Sequence, residues 1–364
     1  MFNSKSSCAT MRHTADTCIN CGICVDECRF LQEFGSPDII AKAALASDLN
    51  HDIAAVSAYH CSTCSLCSAV CPVNANPAAM FEPLRSHAQK KTLFSLDSYE
   101  PLLSYEKLGG SFLFKDNILP NKCTTAFFPG CTLPAMFPKA TQATYAALKQ
   151  QDPSLGLILN CCSKPSKALG LSNSHSEAIS ELVNFIESKG IKKILTACPN
   201  CHITFKDYSP SFKVVSIYEE LLDLNILANS PWLKKVTIHD PCVTRFESGV
   251  HKAVRQLLTK AGVNIVEMKH TKEKTICCGE GGAVGFHNSP YAQLWTEKRA
   301  TEAEQVKVPM VTYCAGCANY LSKSSPVAHL LDLLFVKRNT TPKLPMFPFN
   351  YLNRLKLKIT ARLV

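Results

Sequence analysis

The sequence predicts a multidomain chain: an α-helical, cysteine-rich N-terminal module followed by two copies of an α/β unit, each with a small parallel sheet. Three observations predict it. Eight of the 20 cysteines fall in two matched runs within the first 71 residues. Ten more form two sets of five, in which Cys161, Cys162, Cys198 and Cys201 recur 116 residues later as Cys277, Cys278, Cys314 and Cys317. In both repeats short β-rich runs alternate with helical patterns. With 364 residues, 46% of them hydrophobic, there is apolar material for two or three cores.

The cysteine usage first has to be assigned to a redox state. The opening "MFNSKSSCATMRHTADTC" has no apolar core of the kind a secretory signal needs, and no run approaches the ~18 apolar residues of a membrane span. A cytoplasmic location is expected, where thiols stay reduced and recurring short spacings point to iron–sulfur clusters or zinc rather than disulfides. The formal charge of +10 counts every cysteine as neutral. A cubane held by four thiolates carries about −2, so cluster loading would offset much of the positive charge, and no nucleic-acid partner is expected.

The first module, residues 1–95, holds "CINCGICVDEC" and "CSTCSLCSAVCP", each a C-x2-C-x2-C-x3-C run. This is the two-cluster ferredoxin spacing, in which three close cysteines wrap one cubane and the fourth ligates the other. It assigns Cys18, Cys21, Cys24 and Cys71 to one [4Fe–4S] cluster, and Cys61, Cys64, Cys67 and Cys28 to a second. Zinc fits poorly, because it usually takes its ligands as two spaced pairs. Between the runs lie 32 residues, including "PDIIAKAALASDL" and "HDIAAVSAYH", with apolar residues at helical spacing. The module therefore resembles the α-helical ferredoxins, with Arg29 where many such runs carry Pro.

Residues 96–120 read as a linker, residues 121–228 as the first α/β unit and residues 232–337 as the second. Strand-like "TTAFF", "LGLIL" and "KKILTA" match "KKVTIH", "VNIVEM" and "VPMVTY". Helix-like "KATQATYAALKQ" and "SEAISELVNFIES" match "HKAVRQLLTKAG" and "YAQLWTEKRATEAEQ". Cys131, Cys161, Cys162, Cys198 and Cys201 fall at strand ends, as do Cys242, Cys277, Cys278, Cys314 and Cys317. In parallel sheets, ligands sit beyond the carboxyl ends of strands. Neighbouring cysteines pair poorly with each other, since their Cα atoms lie ~3.8 Å apart and a disulfide wants roughly 4.4–6.8 Å. Five thiolates exceed what a tetrahedral ion or a cubane takes, so each set implies a polynuclear centre with a bridging cysteine. Gly279, Gly281 and Gly282 would let backbone N–H groups approach its sulfurs.

This arrangement, with the ferredoxin module in front, resembles the CCG-domain iron–sulfur oxidoreductases over residues 15–336. Those relatives include the B-type and D-type subunits of heterodisulfide reductase and the iron–sulfur subunits of glycolate oxidase, lactate-utilisation enzymes and anaerobic glycerol-3-phosphate dehydrogenase. The module order matches the D-type heterodisulfide reductase subunit. The resemblance implies two duplicated CCG domains holding up to two noncubane [4Fe–4S] clusters on the two five-cysteine sets. It also implies reduction of a disulfide by the paired clusters, whose ligands are then the candidate catalytic groups. The alternative is a non-catalytic conduit from a flavoprotein dehydrogenase of a hydroxy acid or glycerol phosphate to membrane quinone. Either reading implies a redox partner, a flavoprotein or a membrane cytochrome b or quinone-reactive subunit. "CCSKP" replaces the family's "CCG" in the first unit, and Val243 follows Cys242 where relatives often have His.

Other motifs compete less well. "CPNCH" matches a haem-attachment signature, but its repeat partner "CAGCA" lacks the His, so His202 reads as structural and no haem is expected. "GEGGAVG" misses the dinucleotide fingerprint by one residue, and no flavin or NAD site is expected. His239 and Asp240 read as strand-end turn contacts, with proton relay as the alternative, and Cys8 and Cys123 as ordinary thiols. From Lys337 onward there are seven Lys/Arg residues and no acid. Within the basic tail, residues 338–364, a helix would place Leu352, Leu355, Ile359 and Leu363 opposite Arg354, Lys358 and Arg362. Peripheral contact with the cytoplasmic membrane face and packing on the chain's own domain are both expected of such a helix.

Overall fold

The structure, a computed structural model, describes residues 4–46, 49–208, 210–225 and 231–363. The N-terminal module is helical. Helix Ser4–Thr17 packs on Pro37–Leu45, which in turn packs on Leu49–Ser57 and through it on Phe81–Lys90. Pro37 at the first helical position suits a helix start, and Asp38 in the first turn takes hydrogen bonds from Ser36 and Lys42. Ile40, Ala41 and Ala44 then face Met11, Ala54, Ala55 and Phe81 in one apolar cluster. The cysteine runs occupy the turns at one end of these helices. Asn20, Thr63 and Ser65 take left-handed backbone there, as tight wrapping requires.

The first α/β unit has strands β1 (Asp116–Ile118), β2 (Thr125–Phe128), β3 (Gly156–Leu159), β4 (Lys193–Thr196) and β5 (Lys213–Ser216), in the order β1-β3-β2-β4-β5. All pairings are parallel except β1 with β3. The second unit repeats the parallel part with β6 (Lys235–His239), β7 (Asn264–Ile265), β8 (Met310–Thr312) and β9 (Val327–His329), in the order β7-β6-β8-β9. Long helices Pro138–Gln151 and Ser172–Ser188 in one unit correspond to Ser248–Lys260 and Ser289–Val306 in the other.

The two units share one core, in which Phe127, Leu195 and Tyr218 pack with Val236, Tyr313 and Leu331. Their contact is reciprocal. Helix Ile217–Asp223 of the first unit lies on Ser248–Lys260 of the second, and Leu330–Phe335 of the second lies on Pro138–Gln151 of the first. Such pairing is the signature of a two-fold arrangement. Tyr218 donates to the Tyr313 carbonyl at 3.0 Å at its centre.

The segment 96–120 differs from expectation, and the tail helix takes one of the two placements expected of it, packing on the chain's own domain. Residues 96–120 carry helix Glu100–Gly109 and edge strand β1 rather than a free linker. Glu106 accepts hydrogen bonds from Ser166 N and Oγ, and Tyr105 donates to the Cys131 carbonyl at 3.2 Å, so the segment belongs to the wall of the first unit. The tail helix, Phe349–Thr360, packs on helices Thr132–Met136 and Pro138–Gln151 with Arg354 and Leu357 inward. Lys358 donates to the Phe112 carbonyl at 2.7 Å and Arg362 pairs with Asp116 at 2.7 Å. Arg354 is buried, and Leu352, Ile359 and Leu363 face outward. Leu357 and Ala361 enter the core beside Arg354, whose stem packs inward while its guanidinium reaches a carbonyl and two rings, and Lys358 and Arg362 bond at the edge of this face. No helix among the described residues is long and apolar enough to cross a membrane.

Candidate iron–sulfur centres

All twenty cysteines are free thiols. In the N-terminal module they sort into two crossed quartets. Cys18, Cys21, Cys24 and Cys71 line one cleft with Ile19, Val25 and Val73. Burial, and then the neighbouring Cys18, Cys21 and Cys71, push the Cys24 thiol up to about 11. Burial and the neighbouring Cys64 push Cys28 up to about 12, and burial with Cys61, Cys64 and Cys28 pushes Cys67 well up. The fourth cysteine of each run therefore stands with the other run's first three. Thiols crowded this closely resist ionisation for want of positive charge, which iron would supply on binding.

In the first α/β unit, Cys131 follows β2, Cys161 and Cys162 follow β3, and Cys198 follows β4 and opens the helix that carries Cys201. Cys161 Sγ lies 4.0 Å from Cys131 Sγ, and Cys201 Sγ 3.3 Å from Cys162 Sγ. A hydrogen bond from Cys161, and then the Arg354 guanidinium, hold Cys131 down at about 6. Gly130 has φ +77°, and a Cβ there would sit 3.0 Å from Cys198 Cβ and 3.1 Å from Cys201 Sγ. The missing side chain leaves the space around these sulfurs open.

The second set repeats this geometry. Cys242 follows β6, and Cys277 and Cys278 precede the glycine-rich turn. Cys314 and Cys317 follow β8. Gly279 N donates to Cys277 Sγ at 3.3 Å, and the Gly281 backbone bonds the same sulfur, so two of the three glycines act on a sulfur as expected. Gly281 and Gly282 serve a contact between modules. A Cβ on Gly281 would lie 2.5 Å from the Ser62 carbonyl, and one on Gly282 2.5 Å from the Cys61 carbonyl. The turn thus presses its backbone on the loop of the second quartet, and Cys64, Leu66, Ile276 and Cys277 share one buried cluster.

Two buried arginines fix this junction. Arg85 donates to the carbonyls of Ala58, Cys61, Ala168 and Gly282, so one side chain joins all three modules. Arg245 donates to the carbonyls of Cys64, Glu273 and Thr275. The two five-cysteine sets also approach each other, with Cys314 an electrostatic neighbour of Cys198. Glu280 lies between them. Burial, then Cys314, Cys277 and Cys131, raise its carboxyl to about 8.

Residues 14–75 match the family described as a 4Fe-4S dicluster domain, and residues 125–206 and 236–322 match the Cysteine-rich domain family, CCG. The chain belongs to the CCG-domain iron–sulfur oxidoreductases. It is 26% identical to the D-type subunit of the dihydromethanophenazine:CoB–CoM heterodisulfide reductase of Methanosarcina barkeri, over 88% of this chain and 91% of that one. It is 26% identical to the B-type subunit of the fumarate reductase (CoM/CoB) of Methanothermobacter marburgensis, over 84% of this chain and 67% of that one. A further likeness, 26% over 46% of this chain and 26% of the relative, is to the EtfAB:quinone oxidoreductase of Syntrophomonas wolfei. This CCG protein is an iron–sulfur electron-transfer oxidoreductase subunit related to the D-type subunit of heterodisulfide reductase at modest identity.

The residues present fit iron–sulfur clusters: two crossed quartets, two sets of five thiols of which all but Cys277 and Cys278 follow on strands, and glycines where a Cβ would obstruct them. Competing motifs fall into place around them. His202 bonds Thr196 Oγ1 at 2.9 Å and lies 3.8 Å from Glu247, as a structural histidine. Asp240 holds Arg255 bidentately and accepts from Tyr313 and Lys272, a strand-end contact. His239 differs: both ring nitrogens are without hydrogen-bond partners among the described residues, and its ligand atom and those of Cys278 and Cys317 all lie within 4.8 Å of one another. Its counterpart before Cys131 is Phe128. Cys123 donates to the Thr125 carbonyl and Cys8 is exposed, so neither joins a set. Arg85, Arg245 and Glu280 escaped the sequence reading, although Glu280 in "CCGEGG" is an acid two residues from a candidate ligand, and Arg354 enters it only as part of the tail's basic face.

Proposed function

We propose that this chain carries electrons from a cubane held by Cys18, Cys21, Cys24 and Cys71 to one held by Cys28, Cys61, Cys64 and Cys67. From there they pass to the CCG centres on Cys242, Cys277, Cys278, Cys314 and Cys317 and on Cys131, Cys161, Cys162, Cys198 and Cys201, where a disulfide is reduced. The observation that carries this reading is the junction at Cys64 and Cys277, which abut in one buried cluster and are locked by Arg85 and Arg245. Electron hopping favours such a serial order. The bound noncubane clusters would supply iron sites for the two sulfurs of the split substrate. The stoichiometry is one disulfide plus two electrons and two protons giving two thiols, with the S–S bond broken and a reduced flavoprotein or cytochrome partner as electron source. The chain's own residues would hold the two centres face to face and exclude water from them.

A second reading, the conduit toward quinone, is favoured by the outward face of the tail helix. Phe349, Leu352, Ile359 and Leu363 are exposed there, as docking to a membrane or to a quinone-reactive partner would need. An anaerobic assay separates the two. Reduced protein is mixed with a panel of disulfides, and thiol release, reoxidation and a substrate-dependent EPR signal are followed. Thiol release supports reduction at the CCG centres. Inert disulfides together with rapid electron uptake from a flavoprotein dehydrogenase would leave the conduit.

A further inference from the structure

The two five-cysteine sets are near-copies in backbone, but the charges around them differ. Beside the second set stand Glu280 and the unpartnered His239. In the first unit the position of Glu280 is taken by Lys164, 116 residues earlier, and that of His239 by Phe128. Each set also has a buried guanidinium near it: Arg299, beside Cys278 and Cys317 of the second, is paired with Glu302 at 3.1 Å, whereas Arg354, delivered to the first by the tail helix Phe349–Thr360, forms no ion pair among the described residues.

Arg354 is 5% exposed, and its guanidinium lies 4.5 Å from the Phe114 ring centre and 5.4 Å from that of Tyr105. Nη2 donates to the Gly109 carbonyl at 3.2 Å. Nη1 is buried without a hydrogen-bond partner among the described residues. A buried donor on a charged group is costly to leave unpaired, so its orientation calls for an acceptor. The geometry supplies one direction. A Cβ placed on Gly109 would lie 3.3 Å from Cys161 Cβ, 3.4 Å from Nη2 and 3.6 Å from Nη1. Guanidinium and Cys161 therefore share the gap that this glycine leaves open. Tyr105, whose ring underlies the guanidinium, donates to the Cys131 carbonyl at 3.2 Å.

We propose that Arg354 directs Nη1–H at the sulfur of the centre held by Cys131 and Cys161, and that this makes the first CCG centre the stronger electron acceptor of the pair. The inference rests on the cluster reading above and deepens it. A cation and an N–H donor beside an anionic cluster stabilise its reduced, more negative form. The consequence follows from the serial order. The second centre adjoins the cubanes and would fill first if the two potentials were equal, whereas cleavage of a disulfide between the centres needs an electron at each. Arg354, a cation without an acidic partner beside the first centre, sets a downhill step toward the far centre. Arg354 is thus a positioning and tuning residue, and the basic tail is part of the redox site.

The test is an EPR-monitored potentiometric titration of the holoprotein, comparing wild type with Arg354→Gln, Arg354→Lys and Arg362→Gln. Arg362 lies just beyond the same helix and pairs with Asp116 on the surface, so its loss controls for loosened packing. Arg354→Gln should weaken the electron affinity of the first centre at least tenfold, a one-electron shift of about 59 mV. Arg354→Lys should give a smaller shift, and Arg362→Gln none. Less than a twofold change in Arg354→Gln, or equal shifts in Arg354→Gln and Arg362→Gln, would overturn the inference. Should Arg354→Gln fail to load iron, the wild type labelled with 15N-arginine decides: coupling of one arginine nitrogen to the first centre supports the inference and its absence overturns it. Iron present with unchanged potentials would refute only this inference, whereas CCG units without iron in the wild type would refute the cluster reading as well.

Discussion

Arg85 offers the sharpest test of how the modules are held in register. Its side chain is fully buried, stacked at 4.9 Å from the Tyr59 ring centre. It donates at 3.1 Å to Ala58, 2.5 Å to Ala168, 2.8 Å to Gly282 and 2.7 Å to Cys61. Hydrogen bonds to charged groups contribute about 1.5–3 kcal/mol each, so four give an upper bound of about 6–12 kcal/mol. The bonds share one guanidinium and the carbonyls can relax, so removal of the group is expected to cost about 3–5 kcal/mol. Arg85→Met should therefore weaken docking of the N-terminal module on both α/β units. Native-state hydrogen exchange reads this locally: amide protection at residues 61–64 and 281–283 should fall more than about 100-fold. Arg85→Lys, which keeps the charge without the planar fork, should fall in between. A loss under about tenfold in Arg85→Met would refute the idea that this side chain holds the junction.

Other expectations can be checked independently. Cys28→Ser should perturb the EPR signal of the cluster nearer the second CCG unit, and Cys71→Ser that of the outer cluster, whereas an uncrossed arrangement would give the reverse. His329, 1% exposed, has its pKa lowered by burial from 6.5 to about 3. The folded chain keeps it neutral while the unfolded chain protonates, so its stabilisation is complete above pH 6.5 and is lost as pH falls toward 3, with about 2 kcal/mol gone by pH 5. His329→Ser, which copies the capping Ser216 of the first unit, should remove that part of the pH dependence in anaerobic denaturation curves.

What the sequence made legible follows from the range of the forces involved. Cluster ligands must meet within a few ångströms, so their spacing is written locally: Cys18, Cys21, Cys24 and Cys71 line one cleft, and Cys131, Cys161, Cys198, Cys242 and Cys314 follow on strands, whereas Cys277 and Cys278 sit in a loop twelve residues past β7. Repetition exposed strands β2–β4 and β6–β8, because each unit corroborated the other. The edge strands β1, β5 and β9 have three or four residues each and too little alternation to stand out. Long-range contacts left no local trace: Arg85 and Arg245 reach carbonyls far along the chain, and nothing beside them in sequence marks them. The tail shows the same limit in another form. Its amphipathic pattern gave two faces, but the inward one was decided by Phe114, Tyr105 and Asp116, more than 200 residues away.

The most direct measurement of the central claim is an anaerobic count of iron, sulfide and zinc on the purified protein, combined with EPR during stepwise reduction. Two cubanes and two CCG centres predict about 16 irons per chain and four distinguishable redox centres. Zinc in place of iron, or about 8 irons with signals from the N-terminal quartets alone, would contradict the account.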